Sequence, residues 1–123
     1  MGIFGGSKKR PFDKHIREAT KRGVPVDGAL GVASSMEGGH WQTLVVWPDR
    51  VDVHTSKKAG ALFGSGAGVD SYPVGSVSSA GVRQSGIWSI LTLTGSNFEV
   101  VFKGTADVVP LIRDQIMRAK AAA

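Results

Sequence analysis

The spacing of apolar residues changes along this chain from helical to alternating and back to helical, and this change limits the folds that the chain can adopt. Between Gly28 and Lys103, many apolar side chains recur at every second position, which is typical of β-strands. About seven short strands fit into this region, and short strands separated by turns pair most simply as antiparallel neighbours. The sequence therefore predicts a mainly antiparallel β domain that forms a barrel or two packed sheets.

Two turn sequences mark the ends of the most clearly predicted strands. Pro48-Asp49-Arg50 separates strand 41–47 from strand 51–55, and its proline pre-sets the backbone for a turn. Gly95-Ser96 separates strand 87–94 from a strand in which Phe98, Val100 and Phe102 point inward. Strand 41–47 carries apolar residues on both faces, which predicts a central or well-covered position.

The remaining part of the alternating region is predicted with less regular structure. Residues 72–74 and 77–84 are candidate extended segments. Met36–His40 is predicted to be a flexible connection, because it contains Gly38 and Gly39. Residues 56–71 are predicted to be a long glycine-rich loop, with a brief strand around Leu62 and Phe63.

Helical spacing marks both ends of the chain. Phe12, Ile16 and Ala19 predict a short amphipathic helix over 12–22 that ends at Gly23 and Pro25. A second helix is predicted over 106–120.

The apolar stripe of this second helix is formed by Val109, Ile112 and Ile116. Thr105 or Asp107 is its predicted N-cap. The stripe has to be buried, and the open end of a barrel is the expected place.

The positive charge of the chain is concentrated near its start. Segment 8–22 holds seven of the 15 Lys and Arg residues but only two of the 10 Asp and Glu residues. The rest of the chain therefore has eight residues of each sign and no net charge. The sequence thus divides into a basic, glycine-rich arm with a short helix over 1–27 and a β domain over 28–123.

Four segments together resemble bacterial pleckstrin-homology-like (PH-like) domains, including the YokE-like group. They are Leu44 to Val51 with its arginine after the turn, the aromatic-proline-valine segment Tyr72 to Ser79, the hairpin Ile87 to Phe102, and the closing helix Ala106 to Ala119. The resemblance covers about residues 28–120.

This resemblance implies a bent seven-stranded antiparallel barrel that is plugged at one end by the C-terminal helix. Members of the family generally bind proteins or membranes, and several form oligomers. Phosphoinositide-binding relatives use a Lys/Arg-rich loop between the first two strands. The corresponding segment, Met36–His40, has no lysine or arginine, which argues against inositol-phosphate recognition.

No motif in the sequence predicts catalysis. The three histidines, His15, His40 and His54, lack metal-ligand spacing and are predicted to lie on the surface. Cysteine is absent, no G-x-S-x-G elbow occurs, and Gly64–Gly68 does not complete a phosphate-binding motif. We therefore expect a non-enzymatic protein with no metal, no cofactor and no small-molecule substrate.

Three kinds of partner remain open at this point. The first is a protein, either another chain or a second copy, for which an exposed Trp88 is a candidate anchor. The second is an anionic membrane surface, and the third, less favoured, is nucleic acid, because no row of exposed aromatics interleaved with lysines is predicted. The candidate contacts for an anionic partner are Lys8, Lys9, Arg10, Lys14, Arg17, Lys21, Arg22, Lys57 and Lys58.

The N-terminal helix has an alternative role to anion binding. Phe12 and Ile16 are suited to pack against the β domain, in which case the charges of the helix only aid solubility. The absence of cysteine and of any apolar run of membrane-spanning length favours a cytoplasmic location, with peripheral membrane association as an option.

Overall fold

A computed structural model of the chain describes residues 10–56 and 68–123. These ranges contain seven strands, two α-helices and two 3-10 turns. The strands are β1 (Gly31–Glu37), β2 (His40–Val46), β3 (Arg50–Thr55), β4 (Gly68–Pro73), β5 (Val77–Ser85), β6 (Trp88–Gly95) and β7 (Glu99–Thr105). The helices are α1 (Asp13–Lys21) and α2 (Val109–Ala122), and the 3-10 turns are Arg10–Phe12 and Val74–Ser76.

The strands form two antiparallel sheets that follow the order of the chain. The first sheet has the order β1-β2-β3-β4, and the second has the order β5-β6-β7. This arrangement confirms the prediction of a mainly antiparallel β fold with about seven strands and a C-terminal helix.

The main core lies between the two sheets and α2. Leu44 and Val53 from the first sheet and Leu91 and Phe102 from the second belong to one buried cluster, together with Ile112 from α2. Helix α2 packs against strands of both sheets, namely β1, β5 and β6. The predicted stripe of Val109, Ile112 and Ile116 is fully buried, so the helix covers the gap between the sheets.

Helix α1 covers the opposite, outer face of the first sheet. Its Ala19 joins Val32 and Val45 in a second buried cluster. Phe12, just before the helix, reaches the main core and is only 4% exposed. Of the two roles considered for this helix, docking on the β domain is therefore the arrangement that the structure has.

Both helices converge on β1 at Gly31. A β-carbon built on this glycine would lie 3.1 Å from Ile112 Cδ1 and 3.3 Å from Phe12 Cζ. A side chain at this position would require the ends of these side chains to shift by a few tenths of an ångström, so glycine allows the close approach seen here.

Three parts of the secondary structure differ from the prediction. The first is the segment Met36–His40, which is a tight hairpin and not a flexible connection. Strand β1 continues to Glu37 and pairs with His40, so only Gly38 and Gly39 form the turn. Both glycines have positive φ values of 60° and 84°, which a two-residue hairpin turn of this kind requires.

The second difference is β4, which begins at Gly68 inside the predicted loop 56–71. It pairs with β3 from Gly68 to Pro73, yet five of its six residues are exposed. Because most of its side chains face solvent, the strand has no apolar alternation, and its pairing with β3 relies mainly on the backbone. The brief strand predicted around Leu62 and Phe63 lies outside the described residues.

The third difference is the start of the C-terminal helix, which begins at Val109 and not at residue 106. Its N-cap is Val108, and no side chain caps it, so the prediction of Thr105 or Asp107 as cap is wrong. The Thr105 hydroxyl instead donates a hydrogen bond to the Asp107 carboxylate. The Asp107 carboxylate also faces His15 of α1. Asp107 therefore takes part in a tertiary contact and does not cap α2.

Candidate interaction surfaces

The cations predicted to bind an anionic partner fall into three groups. Lys14, Arg17 and Lys21 are exposed and follow one stripe of α1 at spacings of three and four residues. Arg22 is held within the molecule. Lys8, Lys9, Lys57 and Lys58, and the side chain of Arg10, lie outside the described residues.

Arg22 makes three contacts, two of which fasten the end of α1 to the first sheet. Its guanidinium donates a hydrogen bond to the Ser34 hydroxyl, lies 3.6 Å from Glu18 Oε1, and stands 5.2 Å from the centroid of the Trp41 ring. The side chain is only 13% exposed. Its charge is therefore compensated locally. Of the three exposed cations, Lys21 also lies 3.7 Å from Glu18 Oε2, whereas Lys14 and Arg17 have no ion pair among the described residues.

His15 is buried at 2% exposure, so the prediction of a surface histidine is wrong for this residue. Its Nδ1 accepts a hydrogen bond from the Ser34 backbone N–H at 3.0 Å. In the neutral ring the proton is then on Nε2, which lies 3.6 Å from Asp107 Oδ2. One side chain thus joins α1, β1 and the connection between β7 and α2. Its helical spacing from Phe12 and Ala19 was a signal in the sequence that placed it on the buried face.

Asp52 is the centre of a polar cluster on the outer face of the first sheet. It accepts hydrogen bonds from Trp47 Nε1 at 3.0 Å, from Arg50 Nε at 3.1 Å and from the Ser71 hydroxyl at 2.6 Å. The Arg50 guanidinium also lies 5.1 Å from the Trp47 ring. These contacts satisfy the buried carboxylate and join β3 to β4, so the arginine after the Trp47-Pro48-Asp49 turn has a structural role.

His40 and His54 are half-buried, and each has one buried ring nitrogen without a hydrogen-bond partner among the described residues. Burial lowers the pKa of His54, and the nearby Asp52 carboxylate acts in the opposite direction. His54 lies opposite Thr43 on one side and Val69 on the other, and not beside His40. Within residues 10–56 and 68–123, no group of three or more His, Cys, Asp or Glu side chains is arranged to hold a metal ion.

A cleft of about 250 Å³ opens between the ends of β1, β2, β3 and β7. Its polar lining includes Glu37, His40, Gln42, Thr55 and Lys103. The Lys103 ammonium donates a hydrogen bond to Glu37 Oε2 at 2.7 Å, so the two charges at the cleft neutralise each other. The cleft is therefore a weak candidate for a charged ligand.

In the described part of the chain, no other element covers the outer face of the second sheet. Trp88 and Ile90 of β6 alternate with buried Ser89 and Leu91, which places them on this outer face. On β7 the outward position Val101 is 52% exposed. These three side chains form a short apolar strip on a face whose other side chains are mainly polar.

Cations flank this apolar strip. Arg83 and Lys103 stand on either side of Ile90 in the register of the sheet. The Lys103 ammonium lies 5.3 Å from the centroid of the Trp88 ring. At the adjoining turn, Ile87 is 81% exposed, whereas Trp88 is half-buried. The apolar residue most exposed at this end of the sheet is thus Ile87.

Comparison with known proteins does not assign the chain to a family. No protein-family model matches the sequence, and no curated protein matches it. In the part of the chain that the structure describes, no helix is long and apolar enough to span a lipid bilayer.

Proposed function

We propose that this protein is a non-enzymatic, PH-like binding module that acts through protein–protein contacts. The PH-like assignment is supported by the order of the elements, with a four-stranded and a three-stranded antiparallel sheet followed by a helix that packs on both. It is also supported by the way in which α2 fills the gap between the sheets with its buried stripe.

The outer face of the second sheet is the observation that carries the protein-binding proposal. The equivalent face of the first sheet is covered by α1, whereas Trp88, Ile90 and Val101 have no element over them in the described residues. Protein interfaces favour an aromatic and aliphatic centre with arginine nearby, which Trp88, Ile90 and Arg83 supply. A surface of this composition is suited to a protein partner.

The proposal is tested by the size of the protein in extracts of the cells that produce it. We expect the chain to elute in a complex that is insensitive to nuclease and to lipid-extracting detergent. Val101→Glu, which adds a charge at the centre of the proposed surface, should release the chain from the complex. Thr20→Glu on the exposed side of α1 is the control and should leave the complex intact.

Elution of the wild-type chain at the size of a monomer would contradict the proposal. So would a complex that nuclease or detergent disperses, because its partner would then be nucleic acid or lipid. If the Thr20→Glu variant is released from the complex as well as the Val101→Glu variant, the contact is not specific to the second sheet.

Peripheral association with an anionic membrane is a second candidate function, and the exposed stripe on α1 favours it. Lys14, Arg17 and Lys21 point away from the sheet that the helix covers, and they form a single row of positive charge. Each lysine or arginine near an anionic membrane contributes about 1 kcal/mol of binding free energy. The row by itself therefore supports weak, salt-sensitive attachment.

Sedimentation with liposomes distinguishes this second candidate. We expect the chain to sediment with vesicles that contain phosphatidylserine at low salt, and to stay in the supernatant with neutral vesicles. Replacing Lys14, Arg17 and Lys21 by glutamate should abolish sedimentation, since the three positions are exposed and the fold does not depend on them. Equal recovery in the supernatant with both vesicle types would exclude this function.

A further inference from the structure

The two sheets present four edge strands, and two of these edges are covered. Strands β1 and β7 lie beside each other, where the Lys103 ammonium bonds the Glu37 carboxylate at 2.7 Å. Helix α1 also packs on β1. Strands β4 and β5 each have a strand neighbour on one side only among the described residues. Among the described residues, β4 and β5 are therefore the two edges without a second strand or a neighbouring sheet beside them.

Strand β4 carries features that prevent pairing with another chain. Natural edge strands are protected by shortness, proline and charges that point inward. Strand β4 is six residues long and ends at Pro73. Its Asp70 lies opposite the core residue Val53 and therefore shares the core-facing side of the strand. A second chain that paired with β4 would have to cover this carboxylate.

Strand β5 lacks these features. It is nine residues long, has no proline, and carries a single charge at Arg83. An irregularity in its pairing with β6 lies between Val77 and Ser79, so the edge is regular from Ser79 to Ser85. Most of its side chains are exposed. Among the described residues no second strand pairs with this edge, although α2 packs on part of β5.

We propose that β5 pairs with β5 of a second copy of this chain, antiparallel and about a two-fold axis at Gly81. The pairing joins two three-stranded sheets into one sheet of six strands. This inference rests on the proposed protein-binding function and adds to it a contact with a second copy at the edge of the second sheet, separate from the outer face that carries Val101.

The sequence of β5 is complementary to itself in this register. Gly81 is the midpoint of Val77–Ser85, so each copy of Arg83 lies opposite Ser79 of the other and not opposite a second charge. Like charges directly opposite each other on paired strands would be destabilising. Around Gly81, a β-carbon would find no atom of its own chain within 4 Å. A side chain placed at position 81 would therefore not collide with its own chain.

Ile87, at the turn after β5, is 81% exposed in one copy. In the proposed register this turn comes alongside residues 75–77 of the second copy, so pairing would reduce the exposure of Ile87. The chain carries a net charge of +5, which opposes association of two copies at low salt. Screening weakens this repulsion, so association should strengthen as salt is added.

Charge substitutions at Gly81 test this register directly. In the purified full chain, Gly81→Lys and Gly81→Glu each place two like charges opposite each other at the axis. We expect each variant alone to raise the dissociation constant of the dimer by at least about tenfold in sedimentation equilibrium, since like charges at an interface cost several kcal/mol. An equimolar mixture of the two variants should restore the dimer, because lysine then faces glutamate.

Two controls test whether the loss of the dimer is caused by the change on β5. Because the Gly81 site has open space, both variants should retain the wild-type unfolding curve. Thr20→Lys adds the same charge on α1 and should leave the dimer unchanged. A wild-type chain that stays monomeric at all salt and protein concentrations would overturn the inference, and so would a mixture that fails to restore the dimer.

The outcome also separates this inference from the proposed function. If the purified chain is monomeric but Val101→Glu still disrupts a complex in cell extracts, the second sheet binds a different protein and β5 self-pairing is wrong. If the complex in extracts is absent as well, both the self-pairing and the protein-binding function are contradicted.

Discussion

His15 and Asp107 connect the N-terminal helix to the rest of the molecule through polar contacts, in addition to the bond from Arg22 to Ser34. His15 is buried against β1, and its ring faces the carboxylate of Asp107, which precedes α2. The basic composition of the helix predicts that its histidine faces solvent. The spacing of His15 from Phe12 and Ala19, however, places it on the buried face. The bond to the Ser34 backbone could not be predicted, because it depends on which strand the helix covers.

At His15 we expect the removal of a hydrogen-bond acceptor to destabilise the fold. His15→Leu leaves the Ser34 N–H buried without a partner, which costs about 1–3 kcal/mol of unfolding free energy. Urea unfolding followed by circular dichroism measures the change. The neighbouring exposed position provides the control, where Lys14→Leu should change the free energy by less than about 0.5 kcal/mol. Equal stability of both variants would show that the bond contributes nothing.

At Asp107 we expect an effect of pH. Partial burial acts to raise the pKa of this carboxyl, but the bond from the Thr105 hydroxyl and the facing His15 outweigh it and hold the pKa below its ordinary value of 3.8. A carboxyl with a lower pKa in the folded state stabilises the fold above its unfolded pKa, and this contribution is lost as the pH falls through the folded pKa.

The stability of the wild-type chain should therefore decrease more steeply below about pH 4 than that of Asp107→Asn. Urea unfolding at a series of pH values measures this difference. Asp27→Asn, an exposed carboxylate with no such partners, should retain the wild-type slope. If Asp107→Asn has that same slope, the lowered pKa does not contribute to stability.

At the scale of elements, prediction succeeded where side chains are buried in a regular pattern. Strand β2 and the apolar stripe of α2 were predictable because burial on fixed faces leaves a period in the sequence. Strand β4 was missed because its pairing with β3 uses the backbone and leaves no apolar period. The start of α2 was misplaced because no side chain caps it, so the usual signal of a helix start is absent.

We expect α2 to be a main source of stability, since it closes the core between the sheets. Ile112 is fully buried, so Ile112→Ala should lower the free energy of unfolding by about 2–5 kcal/mol. The adjacent Leu111 is 36% exposed and serves as the matched control, where alanine should cost far less. Thermal or urea unfolding provides the comparison. Similar losses at both positions would contradict the assignment of Ile112 to the core.

At the scale of the whole molecule, the two sheets are used differently. The outer face of the first sheet is occupied by α1, which hides Val32 and Val45, whereas no element within residues 10–56 and 68–123 covers the outer face of the second sheet. The sequence predicts the sheets and the helices, but it does not predict which sheet face a helix covers. For this reason Trp88 was a candidate anchor from sequence, whereas Ile90 and Val101 emerged only from the register of the strands.

Docking of α1 makes the N-terminal helix part of the folded unit. A chain that starts at Gly23 loses Phe12 and Ala19 from the core, and the loss of the phenylalanine alone should cost about 3–5 kcal/mol. Urea unfolding of the truncated and full chains measures this loss. Replacing Lys14, Arg17 and Lys21 by alanine removes charge but keeps the docking, so that variant should unfold like the wild type. A truncated chain of unchanged stability would contradict the docked arrangement.

The central claim is that the open outer face of the second sheet, and not the helix-covered first sheet, is the surface that binds protein. Site-specific photo-crosslinking in the producing cells tests it most directly, with the photoreactive side chain at position 101 on the second sheet or at position 20 on α1. We predict protein adducts from position 101 and none from position 20. Adducts from position 20 alone, or adducts at 101 that contain only lipid or nucleic acid, would contradict the claim.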